Sequence, residues 1–301
     1  MKNKHLQKLK KTKKYFQDQT QFNYLLRILI IEQLKISPNN FYLNNFEINF
    51  FSYLKIKIKI IKFIFFKIPL AYLIKKKNFF NFSLIVNKNC LIPRFETESL
   101  VILANKIISI IFLKDSLAIL DLCCGSLAIA AAIRKLRNNK NDFICASDKY
   151  RKVLKIAKKN NKNLNTKINL LKSNFLKNIK KQHLKFNVII CNPPYISKDF
   201  LLNSFVKKEP KHALITKNDN FFQKILNDFK FCIFKNHLLF FEISEFSFLN
   251  LKKILNKNYS KLFYFFINDL NNKIRFLILT YNQDINLKLL KINFQKIITL
   301  F

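Results

Sequence analysis

A chain of 301 residues, half of them hydrophobic, is long enough to bury a full core in one large domain or two smaller ones, which excludes a disordered tail or linker. Its 55 Lys and Arg against 17 Asp and Glu leave a net charge of +38, which in an ordinary composition marks a nucleic-acid or ribosome surface. Here Lys, Asn, Ile and Phe crowd the chain and a single Gly stands where average usage gives about twenty, so part of the charge is a by-product of A/T-rich codons.

The basic start, Met1 to Lys14, lacks an apolar run and reads as a solvated arm rather than a targeting peptide. From Tyr15 to Leu73 the first half is helical, with Phe22, Leu25, Leu26, Leu29, Ile30 and Leu34 at helical spacing. Leu54 to Ile60 then alternates apolar residues with Lys one by one, a period that predicts a strand. The most apolar stretch, Ile60 to Ile74, is interrupted by Lys62 and Lys67, so no run reaches the eighteen or so residues that span a membrane. Short runs between Phe79 and Ile92, such as Ser83 to Val86, suggest a hairpin ending at Pro93, and a domain boundary falls at Pro93 to Leu113.

Beyond it, Leu117 to Leu122, Phe143 to Ala146, Ile168 to Leu171, Val188 to Cys191 and Leu238 to Ile243 read as buried strands. Ala128 to Arg137, Lys149 to Asn163, Asn220 to Ile233 and Phe246 to Leu255 read as the helices between them. That alternation is the signature of an α/β fold with a parallel, doubly wound sheet. Leu262 to Ile267 and Ile274 to Tyr281 follow as an edge hairpin. The six Cys form no CxxC pair and the four His have no ligand spacing to them, so thiols in a reducing cytosol are expected and a metal site is not.

Two segments carry chemistry. The first, Ile119 to Ser126, is an apolar strand running into a turn, Cys123-Cys124-Gly125-Ser126, that feeds a helix at Ala128. Ligands of open α/β sheets sit at such carboxyl ends, where a tight turn lets backbone approach them. The only glycine of the chain stands there, at a position that calls for a backbone glycine adopts most easily. Asp148, just past the next strand, is placed to accept hydrogen bonds from ribose hydroxyls, and Ser173-Asn174-Phe175, one strand further on, to flank an adenine ring. The second segment is more specific. Asn192-Pro193-Pro194-Tyr195 follows the strand Val188 to Cys191, and two adjacent prolines force an extended path with no N–H of their own. The Asn192 side-chain oxygen and the Pro193 carbonyl can hold both N–H bonds of a flat NH2 group, with Tyr195 packed on the amide plane or over a cationic sulfonium. An amide nitrogen is a poor nucleophile, so this chemistry rests on positioning, worth roughly 7–11 kcal/mol of barrier.

A loop, acid and NPPY in this order resemble amino-methyltransferases broadly. Leu91-Ile92-Pro93-Arg94-Phe95-Glu96-Thr97-Glu98 narrows the resemblance, being similar to the LIPRPETE-type segment of bacterial protein-glutamine N-methyltransferases acting on peptide chain release factors. Ile68 to Leu73, Glu209-Pro210 with Ala213-Leu214, and Asp269-Leu270 with Arg275 resemble further segments of that family, so the likeness runs from about Pro69 to Leu279. It implies a Rossmann-like, seven-stranded class I methyltransferase domain over residues 113–281, with a C-terminal tail over 282–301. Ahead of it come a small helical N-terminal domain over 1–75, which binds substrate, and a hairpin and linker over 76–112. Leu54 to Ile68 is then a helix, against its period.

The cofactor implied is S-adenosyl-L-methionine, held by Cys123, Cys124, Gly125, Ser126, Leu127, Asp148, Phe175 and Asn192. Substrate would lie on Asn192, Pro193, Pro194 and Tyr195, with Asn192, Pro193 and Tyr195 catalytic. The implied partner is the GGQ loop of a release factor, with ribosome association open, no membrane and no requirement for nucleic acid. Cys123 and Leu127 replace the outer glycines of the family's G-x-G-x-G loop, Asn174 an Asp and Phe95 a proline. Leu127 is therefore expected to crowd the cofactor or to shift the helix start. Three alternatives stay open: a glutamine methyltransferase of a large-subunit ribosomal protein, an adenine or guanine N-methyltransferase of rRNA or DNA, and a cofactor-deficient ribosome-associated relic.

Overall fold

Two compact units divide the chain in its computed structural model, which describes residues 3–113, 115–194, 203–215 and 220–299. One comprises Met1–Lys76 with Leu202–Lys208, the other Lys77–Leu201 with Glu209–Phe301. The first is helical: α1 (Lys4–Lys10), α2 (Gln19–Leu34), α3 (Pro38–Tyr42), α4 (Phe50–Phe66) and α5 (Leu70–Ile74). Helix α2 starts where Asp18 accepts the Thr20 N–H, and it buries Phe22, Leu25, Leu26, Leu29 and Ile30.

The alternation at Leu54 to Ile60 does not make a strand. Asn49 caps α4 by accepting the Ser52 N–H, and the residues of this helix that become buried are Ile56 and Ile60, four apart on one face. Leu54 and Ile58, which a strand would have placed beside them, are 37% and 50% exposed. Lysine is so frequent in this chain that its recurrence at every second position carries no strand signal. The family resemblance implies a helix over Leu54 to Ile68, and α4 covers that stretch up to Phe66, with Lys67 as its left-handed cap.

In the second unit β1 (Lys76–Phe79) and β2 (Phe82–Ile85) form a two-stranded sheet. The boundary drawn at Pro93 to Leu113 falls on α6 (Phe95–Phe112), a helix with ten buried residues that belongs to the core of this unit. Then come β3 (Ala118–Leu122), α7 (Ala128–Arg137), β4 (Phe143–Asp148), α8 (Arg151–Leu164), β5 (Asn169–Lys172), α9 (Lys177–Lys181) and β6 (Phe186–Cys191). They are followed by α10 (Lys211–Leu214), α11 (Asn220–Phe229), β7 (Ile233–Glu242), α12 (Phe248–Asn258), β8 (Phe263–Asn268) and β9 (Ile274–Thr280). Residues 282–301, read as a tail, contain α13 (Gln283–Leu290) and α14 (Phe294–Thr299), which bury Ile285, Leu289 and Ile298 in the same core.

The large sheet has the order β5-β4-β3-β6-β7-β9-β8, with β3 to β7 parallel and β9 antiparallel to both its neighbours. Side chains alternate between two cores: Ile119, Val188, Ile190, Leu238 and Phe240 enter one, and Leu120, Ile189, Cys191, Leu239 and Phe241 the other. Strand order reverses between β3 and β6, so the carboxyl ends of these two neighbours open the crevice where doubly wound sheets bind ligands.

Candidate active site

The turn after β3 keeps a glycine-like backbone with one glycine. Cys123, Gly125 and Leu127 have φ of 66°, 54° and 78°, all left-handed. That conformation costs a residue with a Cβ about 1–2 kcal/mol. The turn is clamped from several sides. The Cys124 N–H donates to the Ser147 carbonyl at 2.9 Å, the Leu127 N–H to the Cys124 carbonyl at 2.8 Å, and Asn160 Nδ2 to the Ser126 carbonyl at 2.8 Å. Buried Asn160 also closes a pair with Ile85 of β2, accepting its N–H at 2.7 Å and donating to its carbonyl at 2.9 Å.

Leu127 neither crowds the cavity nor displaces the helix. It is the N-cap of α7, fully buried, with its side chain in the core among α6 and α7 residues and absent from the cavity lining. Asp148 receives the Gly125 N–H at 3.3 Å and the Tyr150 N–H at 3.0 Å, and burial raises its pKa. Beneath the turn, buried Asp121 accepts the Ala130 N–H at 3.0 Å through Oδ2, while its Oδ1 has no hydrogen-bond partner. Burial pushes this carboxyl up to about 7, and the nearby Asp148 charge adds to the shift.

At the end of β6, Asn192 donates through Nδ2 to Thr97 Oγ1 at 3.0 Å, and Thr97 donates to Glu242 Oε2 at 2.8 Å. Thr97 lies in the first turn of α6 and Glu242, fully buried, ends β7. Two further motif segments meet nearby: the Arg94 guanidinium pairs with buried Glu209, whose other oxygen accepts the Ile92 N–H at 3.0 Å. Glu98 accepts the Phe80 N–H at 3.0 Å, tying α6 to the hairpin.

A cavity of about 620 Å3 joins these groups. Cys123, Cys124, Gly125, Ser126, Asp148, Phe175, Asn192 and Pro194 all line it, together with Thr97, His212 and Phe221. Phe175 stacks against Phe221 with ring centroids 6.4 Å apart. Pro193 is buried, and Asn192 and Pro194 on either side of it line the cavity. Tyr195 lies outside the described residues.

Three residues of the site escaped the sequence reading. Asn160, Thr97 and Glu242 act through partners 34 to 145 positions away, which no local pattern reveals. The signal for Glu242 was an acid closing an apolar strand, and Thr97 sat inside a segment already marked by resemblance. Among the described residues no group of three or more His, Cys, Asp or Glu is arranged to hold a metal ion, and no helix is long and apolar enough to cross a membrane.

A seven-stranded sheet with a ligand-sized cavity at its switch point, opening on a loop, an acid and an Asn-Pro-Pro segment, defines a class I methyltransferase. The family model "Methyltransferase small domain" matches residues 103–218. In fold the chain is similar to the hMettl16 catalytic domain in complex with MAT2A 3'UTR hairpin 6, with a TM-score of 0.50 at 14% identity, over 77% of this chain and 82% of that one. The release factor glutamine methyltransferase of Borreliella burgdorferi is 35% identical over 228 residues, 73% of this chain and 76% of its own. That of Buchnera aphidicola subsp. Acyrthosiphon pisum is 43% identical over 157 residues, 50% and 52% of the two chains. The chain belongs to the release factor glutamine methyltransferase family.

Proposed function

We propose that the chain transfers a methyl group from S-adenosyl-L-methionine to the side-chain amide nitrogen of the GGQ glutamine of peptide chain release factors, supporting translation termination in the cytoplasm. The observation that carries this reading is the meeting of Asn192 with Gly125, Asp148 and Phe175 around one cavity. The residues fit the cofactor. A Cβ built on Gly125 meets no atom within 4 Å, so the backbone there faces open space that a ligand can fill. Asp148 offers a carboxylate to ribose hydroxyls, Phe175 and Phe221 offer ring faces to an adenine, and the Cys123 to Ser126 backbone walls the intervening space.

When bound, the cofactor supplies an electrophilic methyl carbon on a sulfonium. Asn192 does the positioning: its Oδ1 accepts one N–H of the glutamine amide and fixes the nitrogen in line for transfer. Pro194 and Leu91 wall the cavity and limit water around the amide. The release factor as substrate rests on the family, on the segment Leu91 to Glu98, and on the names of the relatives.

The test is methyl transfer from labelled cofactor to a purified release factor, to its glutamine-to-alanine GGQ variant, and to rRNA. Label on the native factor alone is expected. Equal label on the variant factor, or label on rRNA, overturns the glutamine assignment.

A further inference from the structure

We infer that Thr97 and Glu242 are positioning residues that set which end of the Asn192 amide faces the substrate, an inference that rests on the function proposed above. A side-chain amide has a donor end and an acceptor end of nearly the same shape, and only its neighbours decide which way it points. Among the described residues, the side chain of Asn192 has one hydrogen-bond partner that decides. Thr97 Oγ1 lies 3.0 Å from Asn192 Nδ2, and 2.8 Å from Glu242 Oε2.

A threonine hydroxyl carries one proton. With that proton directed to the Glu242 carboxylate, Thr97 meets Asn192 only with lone pairs, and only the NH2 end of the amide satisfies them. The oxygen end is thereby turned away from Thr97 and left to accept an N–H. If Glu242 were a donor instead, the Thr97 proton would pass to the Asn192 oxygen and the amide would present its NH2 group, a donor facing a donor, to the substrate amide.

The framework keeps this order rigid. Cys191 and Phe241 are paired across β6 and β7, so Asn192 and Glu242 follow at the same level of neighbouring strands, and Thr97 joins them from the first turn of α6. Thr97 is 4% exposed and Glu242 is fully buried, so water does not compete for the bond between them. The Phe95-Glu96-Thr97-Glu98 segment therefore contributes to the chemistry through its threonine, not through an acid in contact with substrate.

The test is a set of variants in the full chain: Thr97→Val, which keeps the shape and removes the hydroxyl, Thr97→Ser, which restores it, and Glu242→Leu, which removes the acceptor of the Thr97 proton and keeps an apolar side chain of similar reach in its place. Thr97→Val is expected to lower kcat for release-factor methylation by about 10–100-fold with cofactor affinity within about twofold of native, the scale of a misplaced reacting group. Thr97→Ser is expected to recover most of that loss. Glu242→Leu is expected to lower kcat similarly, and the Thr97→Val/Glu242→Leu double variant to lose no more than either single change.

A substrate-free readout accompanies these: the Asn192 side-chain NH2 resonance, assigned by its disappearance in Asn192→Asp, shifts in Thr97→Val and returns toward native in Thr97→Ser. An unmoved resonance, or a Thr97→Val kcat within about twofold of native, overturns the relay. A native chain that methylates no release factor while the resonance responds overturns the substrate assignment and supports the relay. Should Thr97→Val fail to fold, Glu242→Leu carries both readouts.

Discussion

Cys123 and Leu127 hold left-handed backbone on either side of Gly125, at φ 66° and 78°, yet their side chains part company: Cys123 lines the cavity and Leu127 is buried in the core. Leu127→Gly would relieve about 1–2 kcal/mol of backbone strain and lose the packing of a fully buried leucine, which costs about 2–5 kcal/mol. A net loss of stability is expected in denaturant unfolding, with no tighter cofactor binding in calorimetry. A tenfold gain in affinity would show that Leu127 obstructs the site after all.

Gly125 behaves in the opposite sense. Its Cβ position is empty of protein atoms, so Gly125→Ala should cost only about 1 kcal/mol of stability, the strain of a left-handed alanine. On the proposed function, the added methyl enters space assigned to the cofactor. Cofactor affinity should fall at least about tenfold, the loss of more than 1.4 kcal/mol of contact. Parallel melting and calorimetry separate the two effects, and an affinity unchanged from native would remove the Gly125 backbone from the cofactor surface.

Asp121 gives the fold a pH dependence of definite sign. Its carboxyl stands at about 7 in the folded chain against 3.8 for the unperturbed group, because burial disfavours the charge. A raised carboxyl stabilises the fold as its neutral form: the contribution is fully present below the unfolded value and is lost as pH rises through the folded one. Unfolding free energy should therefore decline between about pH 4 and pH 7 more steeply in the native chain than in Asp121→Asn. Equal slopes for the two proteins would place the Asp121 proton elsewhere.

Asn160 ties the turn to β2 with three hydrogen bonds, and Asn160→Ala leaves the Ile85 N–H, the Ile85 carbonyl and the Ser126 carbonyl without this partner. At about 1–3 kcal/mol for each buried polar group left unpaired, partly offset by water, a loss of about 3 kcal/mol is expected. Hydrogen exchange should locate it, with the Ile85 amide exchanging at least about tenfold faster than in the native chain. An unchanged Ile85 amide would mean that β2 is held by its hairpin partner alone.

The seven-stranded sheet was legible because its strands are short apolar runs and its motifs fall at their ends: Cys123 to Ser126 after β3, Asp148 at the end of β4, Asn192 after β6. The first helical unit was half legible. Phe22 to Leu34 shows its helix by spacing, whereas Leu54 to Ile60 mimics a strand because lysine fills polar positions regardless of structure. Helix α6 was read as a boundary because ten of its residues are buried, Thr97 and Ser99 among them, and its exposed side mixes Lys106 and Ser109 with Ile110, which blurs the helical period. Burial of that kind depends on what packs around the helix. The same holds for Thr97, Asn160 and Glu242, whose roles exist only once distant strands are adjacent.

A turn that usually draws its shape from glycines draws it here from its surroundings. The Ser147 carbonyl, the Asn160 amide and the Asp148 carboxylate grip it from β4 and α8, and the core receives the Leu127 side chain. Tolerance to mutation is redistributed accordingly. The outer positions Cys123 and Leu127 need no glycine here, and part of the cost of that freedom is carried by the residues that grip the turn.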